Sequence, residues 1–354
     1  MFETTDDTWR RQPARMSAET AAAVAQRIAE HVTAHELPEV HVVLHGGEPL
    51  LAGPDHIDMI AATLRGGIRA RVDLRVQTNG TLLSDLMLEV LSRHDIRVGV
   101  SLDGGPRAND LHRRHASGRG SHAAVARGLR QLRARAPHLF AGILCTIDLR
   151  NDPIETYESL RELGPPLIDF LLPHGNWTTL PPGRDPSTAD APYGAWLATI
   201  FDHWYADPRP TCIRMFSEII HLMLGGQSGV ETVGLAPVRL IVVNTDGALE
   251  QVDALRSAYN GAAGTGLNIH NHAFDAALTH PAIVARQLGA AGLSAECRNC
   301  TLHRVCGGGL YAHRYRSGTG FLNPSVYCRD LAYVIRHIHR RVSGDVARLA
   351  AGNR

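Results

Sequence analysis

The sequence predicts an α/β fold: a mostly parallel sheet, curled or open, followed by a small cysteine-rich unit. Three observations predict it. Short runs rich in β-branched residues alternate five times with segments whose apolar residues recur at three- and four-residue spacing. Three of these runs end in sharp loops, His45-Gly-Gly-Glu-Pro49, Thr78-Asn-Gly80 and Asp103-Gly-Gly-Pro106. Four of the six cysteines lie between positions 297 and 328. Strands joined through helices run parallel, and the chemistry of such sheets sits beyond the C-terminal ends of the strands.

Residues 1–16 are polar and irregular, with Trp9 and Arg10-Arg11 among them. A helix follows from Ser17 as N-cap, with Val24, Ile28 and Val32 on one stripe. Strands are predicted at Val40 to Leu44, Val72 to Gln77, Ile96 to Leu102, Phe140 to Ile147 and Leu167 to Leu172. Between them come helices near Asp55 to Arg65, Ser84 to Ser92, Ser121 to Arg135 and Pro153 to Leu163. The last is fully punctuated, with Asp152 as N-cap, Pro153 in the first turn and Gly164 at the stop. The series opens with a helix and has no strand before it. Trp177 to Pro192 is a proline-rich crossing, and Tyr193 to Leu224 reads as helical. Arg239 to Asp253 reads as a hairpin turning at Asn244-Thr-Asp-Gly247. A basic amphipathic helix closes the chain from about Asp330 to Leu349.

Composition narrows the function classes. Hydrophobic content is 44% of 354 residues, ordinary for a globular chain, and the formal net charge of +1 offers no basic field to nucleic acid. No apolar run reaches the ~20 residues that span a membrane, and a cytoplasmic protein with reduced thiols is expected. All 36 basic residues are arginine. Schiff-base lysine chemistry, pyridoxal phosphate attachment and a phosphate-loop lysine are therefore excluded.

In Cys297-Arg-Asn-Cys300 a tight turn presents two sulfurs to one site, and Cys306 and Cys328 complete a set of four. Four thiolates suit either a zinc ion or an iron–sulfur cluster. Gly307, Gly308 and Gly309 incline toward the cluster, because bare backbone lets N–H groups approach inorganic sulfide. Cys145, in a strand, and Cys212, on the helical stretch, read as buried apolar residues.

Gly46-Gly-Glu-Pro49, Gln77-Thr-Asn-Gly80 and Ser101-Leu-Asp-Gly104 at successive strand ends, then a cysteine-rich tail, form a specific combination. The chain resembles a radical S-adenosylmethionine enzyme with a C-terminal SPASM domain. With Gly307-Gly-Gly-Leu-Tyr-Ala-His-Arg-Tyr315 and Asn323-Pro-Ser-Val-Tyr-Cys328 it is most similar to the FxsB-type peptide maturases. The resemblance implies a partial (β/α)6 TIM-like barrel, here missing its first strand, plus the small auxiliary cluster domain. It divides the chain into a radical SAM core at 1–176, a helical bridge at 177–233, a SPASM-like domain at 234–330 and a C-terminal helix at 331–354.

The same resemblance implies the chemistry. The backbone of Gly46 and Gly47, with Glu48, would hold the methionine amino group of S-adenosylmethionine; Asn79 and Ser101 would be polar contacts. Arg113 would meet its carboxylate, since a planar guanidinium offers paired hydrogen bonds. Asp253 would take the proton released when the substrate radical is oxidised. Cys297, Cys300, Cys306 and Cys328 would ligate one auxiliary [4Fe-4S] cluster. The expected substrate is a short ribosomally made precursor peptide, cross-linked at an aromatic residue, and a reductase, flavodoxin or ferredoxin would supply electrons. One departure is large: the C-x3-C-x2-C loop that carries the radical-forming [4Fe-4S] cluster in relatives is absent. Met1 falls about where that loop would end, which points to a start codon placed too far downstream. The alternative is a non-catalytic peptide- or S-adenosylmethionine-binding protein with a structural four-cysteine metal site.

Overall fold

The structure, a computed structural model, describes residues 6–352; the first five residues and the last two of the expected terminal regions lie outside it. Helix α1 (Ala18–Ala34) begins where the Ser17 hydroxyl accepts from the Thr20 amide at 3.0 Å, and it buries Val24, Ile28 and Val32. There follow β1 (Glu39–Leu44), α2 (Pro54–Gly67), β2 (Arg71–Thr78), α3 (Asp85–Arg93) and β3 (Arg97–Ser101). The series continues with α4 (His122–Arg135), β4 (Phe140–Thr146), α5 (Pro153–Arg161) and β5 (Leu167–Leu171). Asp152 caps α5 through the Glu155 amide at 2.8 Å, and Gly164 ends the segment at φ +64°.

All five strands and a sixth, β6 (Cys212–Ile213), pair in parallel in the order of the chain. Each crossover therefore steps one strand the same way, which curls the sheet into an arc of a barrel. Among the described residues the arc does not close on itself. Leu74, Val76, Val98, Val100, Ile143 and Ile168 are buried along the strands, against Ile57, Leu64, Leu91, Leu129, Leu132 and Leu160 from the helices. The loops after β1 to β5 all emerge at one edge.

Strand β6 departs from expectation. The stretch Tyr193 to Leu224 is two helices, α6 (Pro192–Ala206) and α7 (Arg214–Met223), with β6 between them. Pro208 and Pro210 explain the break, since neither can continue a helix. Cys145 is buried as expected, but Cys212 is exposed on the short edge strand rather than packed on a helix.

The hairpin region holds a third strand. β7 (Val242–Val243), β8 (Ala248–Glu250) and β9 (Gly264–Asn268) form an antiparallel sheet. The turn at Asn244 to Gly247 closes as predicted: the Gly247 amide donates to the Asn244 carbonyl at 2.9 Å, with Gly247 at φ +83°. A short helix α8 (Phe274–Leu278) follows, and the cysteine segment leads into α9 (Cys328–Gly352). Helix α9 packs along α6, and the Asp330 carboxylate caps α6 through the amides of Tyr193 and Gly194 at 2.9 and 3.1 Å. A Cβ on Gly194 would lie 2.5 Å from the Asp330 carbonyl, so the two helices touch where only glycine fits.

Candidate active site

Three groups of residues converge where the strands end. In the first, the sharp turn after β1 puts Gly46 at φ +114°, and no atom lies within 4 Å of a Cβ built on Gly46 or Gly47. Their backbone faces open space. The Glu48 carboxylate next to them accepts from the Leu50 amide at 3.0 Å, the Thr78 hydroxyl at 2.6 Å and the Asn79 amide at 2.7 Å. It therefore joins the ends of β1 and β2. The Asn79 side chain accepts from the Thr81 amide and hydroxyl, which is turn capping. Ser101 accepts from the Gln77 side-chain amide at 3.0 Å, and Gln77 crosses β3 over Gly99, where a Cβ would sit 2.3 Å from its oxygen.

The second group centres on Arg113. Its guanidinium donates through Nε and Nη2 to both oxygens of Asp103, at 2.6 and 3.1 Å. Asp103 also accepts from the Thr146 amide at 2.8 Å, so the pair is anchored to the ends of β3 and β4. Among the described residues nothing accepts from Nη1 of Arg113. Arg114 turns away and donates to the Asp110 carbonyl. Asp103 lies within the Ser101-Leu-Asp-Gly104 run, but its pairing with Arg113 shows only in the fold. Next to this group the Arg150 guanidinium, with some opposition from burial, holds the Asp148 carboxyl down at about 2, and His112 lies 3.1 Å from Asp148.

The third group joins the barrel mouth to the tail. Asp253 opens a 3-10 turn (Asp253–Ser257), exposed, and its carboxylate receives no hydrogen bond among the described residues. Burial lowers the pKa of His174, just beyond β5, and the charge of Asp253 opposes that shift. The His313 ring lies 6.3 Å from that of His174, and burial, aided by His174, pushes its pKa down to about 3. His174 carries no sequence signal and His313 is one unmarked member of the Gly307–Tyr315 run; the fold brings the two rings together, with Asp253 near His174. The loop carrying His174 is stitched to the tail. Tyr327 Oη donates to the Pro173 carbonyl, Asn176 Nδ2 to Ser257, Trp177 Nε1 to Pro324 and the Trp177 amide to Tyr315.

The four tail thiols are mutual neighbours. Burial pushes the Cys306 thiol up to about 12, with Cys328 and Cys297 adding to the rise. Burial likewise raises Cys328, followed by Cys297 and Cys300. A zinc ion held by thiolates draws sulfurs to about 3.8 Å from one another. Among the described residues no three of these sulfurs come within 4.8 Å of one another.

The glycine run after Cys306 acts differently from the sequence expectation. The Gly307 and Gly309 amides are spent on the carbonyls of His303 and Cys306, and only the Gly308 amide is directed at the Cys306 sulfur. The run is needed for its shape: all three residues have positive φ, and a Cβ on Gly307 would fall 1.6 Å from the Gly234 carbonyl oxygen. Arg314 then gathers the carbonyls of Gly307, Gly308 and Gly309.

A radical-forming cluster on a three-cysteine loop has no ligands among the described residues. Cys145, buried in β4, and Cys212, exposed on β6, do not form such a set. Among the described residues no helix is long and apolar enough to cross a membrane.

Comparison with known proteins agrees with this architecture. Residues 7–160 match the model of the Radical SAM superfamily. A serine-type anaerobic sulfatase-maturating enzyme of Bacteroides thetaiotaomicron is 27% identical over 222 residues, which are 58% of this chain and 54% of that enzyme. The chain thus spans about half the length of that relative. The serine-type enzyme of Klebsiella aerogenes is 26% identical over 328 residues, 88% of this chain and 77% of the enzyme. The solved structure of native anSMEcpe with bound AdoMet superposes with a TM-score of 0.77 at 21% identity, covering 93% of this chain and 89% of that one. Streptococcus suis SuiB bound to the precursor peptide SuiA gives 0.57 at 13% identity, covering 87% and 69%. S-adenosylmethionine and iron–sulfur clusters are the cofactors that this superfamily implies. Residues 7–160 thus carry the match to the Radical SAM superfamily, and over most of its length the chain is similar to the anaerobic sulfatase-maturating enzymes.

Proposed function

We propose that the chain serves in the oxidative modification of a short ribosomally made precursor peptide, as an FxsB-type maturase that cross-links an aromatic residue. The observation that carries this reading is the stitched junction between barrel and tail, which brings His174 and the exposed Asp253 together with the buried His313 of the cysteine-bearing tail. Relatives solved with the Kp18Cys peptide and with the precursor peptide SuiA support the substrate class.

S-adenosylmethionine, when bound, supplies a 5'-deoxyadenosyl group able to take hydrogen from an unactivated carbon. The chain's own residues then have separable tasks. The open backbone of Gly46 and Gly47, with Glu48, would receive the methionine amino group. Nη1 of Arg113 would receive the carboxylate while Asp103 fixes the plane of the guanidinium, and Asn79 and Ser101 would border the cofactor. Asp253, exposed and without a hydrogen-bond donor, would take the proton lost when a hydrogen pair leaves the peptide, and His174 beside it would share that proton. Cys297, Cys300, Cys306 and Cys328 would hold an auxiliary cluster. The division of the chain at 176, 233 and 330, a flavodoxin, ferredoxin or reductase as donor, and a cytoplasmic site of action belong to the same reading.

Binding of S-adenosylmethionine to the iron-reconstituted full chain tests it. Calorimetry is expected to show affinity at least tenfold weaker for Arg113→Ala, with Arg114→Ala unchanged. Equal affinity of all three overturns the cofactor assignment. The sequence as given holds no C-x3-C-x2-C loop and is expected to be inactive alone; with such a loop supplied, incubation with the precursor peptide and a reductant is expected to remove a hydrogen pair from the peptide, read by mass. The lack of a three-cysteine loop among the described residues favours one second reading, a binding protein; binding without any 5'-deoxyadenosine formed would establish that reading instead.

A further inference from the structure

Away from the strand ends, α1 and α8 meet through three side chains of metal-ligating type. His31 and His35 are four residues apart and so project from one face of α1, their ring centroids 4.4 Å apart. Asp275, in the first turn of α8, faces both: one carboxylate oxygen is 2.5 Å from His31 Nδ1, and both oxygens are 3.1 Å from His35 Nε2. One ligand atom from each residue lies within 4.8 Å of the other two. Around a zinc ion, with ligand distances of about 2.0–2.1 Å, neighbouring ligand atoms sit about 3.0–3.4 Å apart. The Asp275–His35 pair already has that spacing, and the Asp275–His31 pair, a hydrogen bond at 2.5 Å, has to open by about half an ångström to admit an ion.

Two further features separate this cluster from incidental surface contacts. The His31 ring is half-buried and held edge-on by Phe274, with centroids 6.5 Å apart and planes at 83°, so its direction is set by packing. No arginine pairs with Asp275 among the described residues; its ion-pair partners are the two imidazoles. The comparison within the molecule is Glu39, His41 and Asp73, which are equally close. There Arg75 and Arg97 already neutralise Asp73 and hold its carboxyl well down, so the cluster has no charge left for a cation.

We propose that His31, His35 and Asp275 form a site for a divalent transition cation of the zinc class, clamping α1 of the barrel to α8 of the tail region. Two imidazoles and a carboxylate suit zinc among biological cations, and the exposed side leaves room for water as a fourth ligand. Binding takes the place of the imidazole N–H groups directed at Asp275, each ring carrying its proton on the other nitrogen. The site is independent of the peptide-modifying reading and stands whether or not that reading holds.

The test uses the untagged full chain with its four tail thiols loaded with iron, titrated with zinc against a chromophoric chelator. Wild type is expected to hold one equivalent more than His35→Ala. His35 is half-exposed at the end of α1, and its loss leaves the helix intact, which circular dichroism checks. Zinc should raise the melting temperature of wild type and leave that of the variant unmoved. Asp275→Asn keeps the shape and removes the charge, and should weaken binding at least tenfold, deciding the matter even where His35→Ala folds poorly. The same stoichiometry and the same thermal shift in wild type and both variants would overturn the site.

Discussion

Arg113, Asp103 and His313 show how much of a site one residue can carry and how little of that its neighbours in sequence reveal. Arg113 and Arg114 are indistinguishable as a pair in the chain; the fold separates them by aiming one at Asp103 and the other at a loop carbonyl. The turn at Gly46, Gly47 and Glu48 was legible because a sharp turn at a strand end has a short, recognisable sequence. His174 and His313 were not, because they lie 139 positions apart and meet only through the tail's return to the barrel. His313 makes a pH prediction. Its folded pKa, at about 3, lies below the ordinary value of 6.5, so between these limits the unfolded chain binds the proton and the native chain does not. Stability should therefore be full above pH 6.5 and fall as pH drops toward 3, by roughly 1.4 kcal/mol per unit. Urea melts of His313→Phe should show a shallower decline over that window; a slope equal to wild type would refute the assignment. At Gly307 the expectation is steric. Gly307→Ala meets a backbone carbonyl and a left-handed φ together, and should lose most of the iron bound by the tail, measured by iron content after reconstitution.

At the scale of elements, periodicity was a good guide wherever a strand or helix was long enough to repeat. The five strands from β1 to β5 and the caps of α1 and α5 were found at or near their observed ends. The sixth strand was missed because two residues carry no period, and because the helical pattern on either side of Pro208 and Pro210 reads through them. Strand β9 was missed for another reason: Gly264-Thr-Gly-Leu-Asn268 has two glycines and few β-formers, and neighbours alone make it a strand. The docking of α6 on α9 is an element-scale device with a measurable cost. Asp330 caps α6 and lies 4.0 Å from the buried Arg184. Asp330→Ala removes the cap and leaves a buried guanidinium without its anion, so a loss of about 3 kcal/mol is expected in denaturant titrations. A loss under about 1 kcal/mol would show the cap and pair to be minor.

Over the whole molecule one apolar cluster runs from Val24 to Ile338, through the barrel, both bridging helices and α9. Barrel and tail should therefore unfold together. Heating should give coincident transitions in far-ultraviolet dichroism and in the fluorescence of Trp177, Trp196 and Trp204, and an earlier, separate loss of the tail would contradict that continuity. The loop after β5 extends the same continuity into the mouth of the barrel. Four hydrogen bonds fasten residues 173–177 to the tail, so widening that rim means breaking them together. A doorway framed in this way does not yield to its guest. Residues 173–177 keep their place for as long as the tail keeps its own.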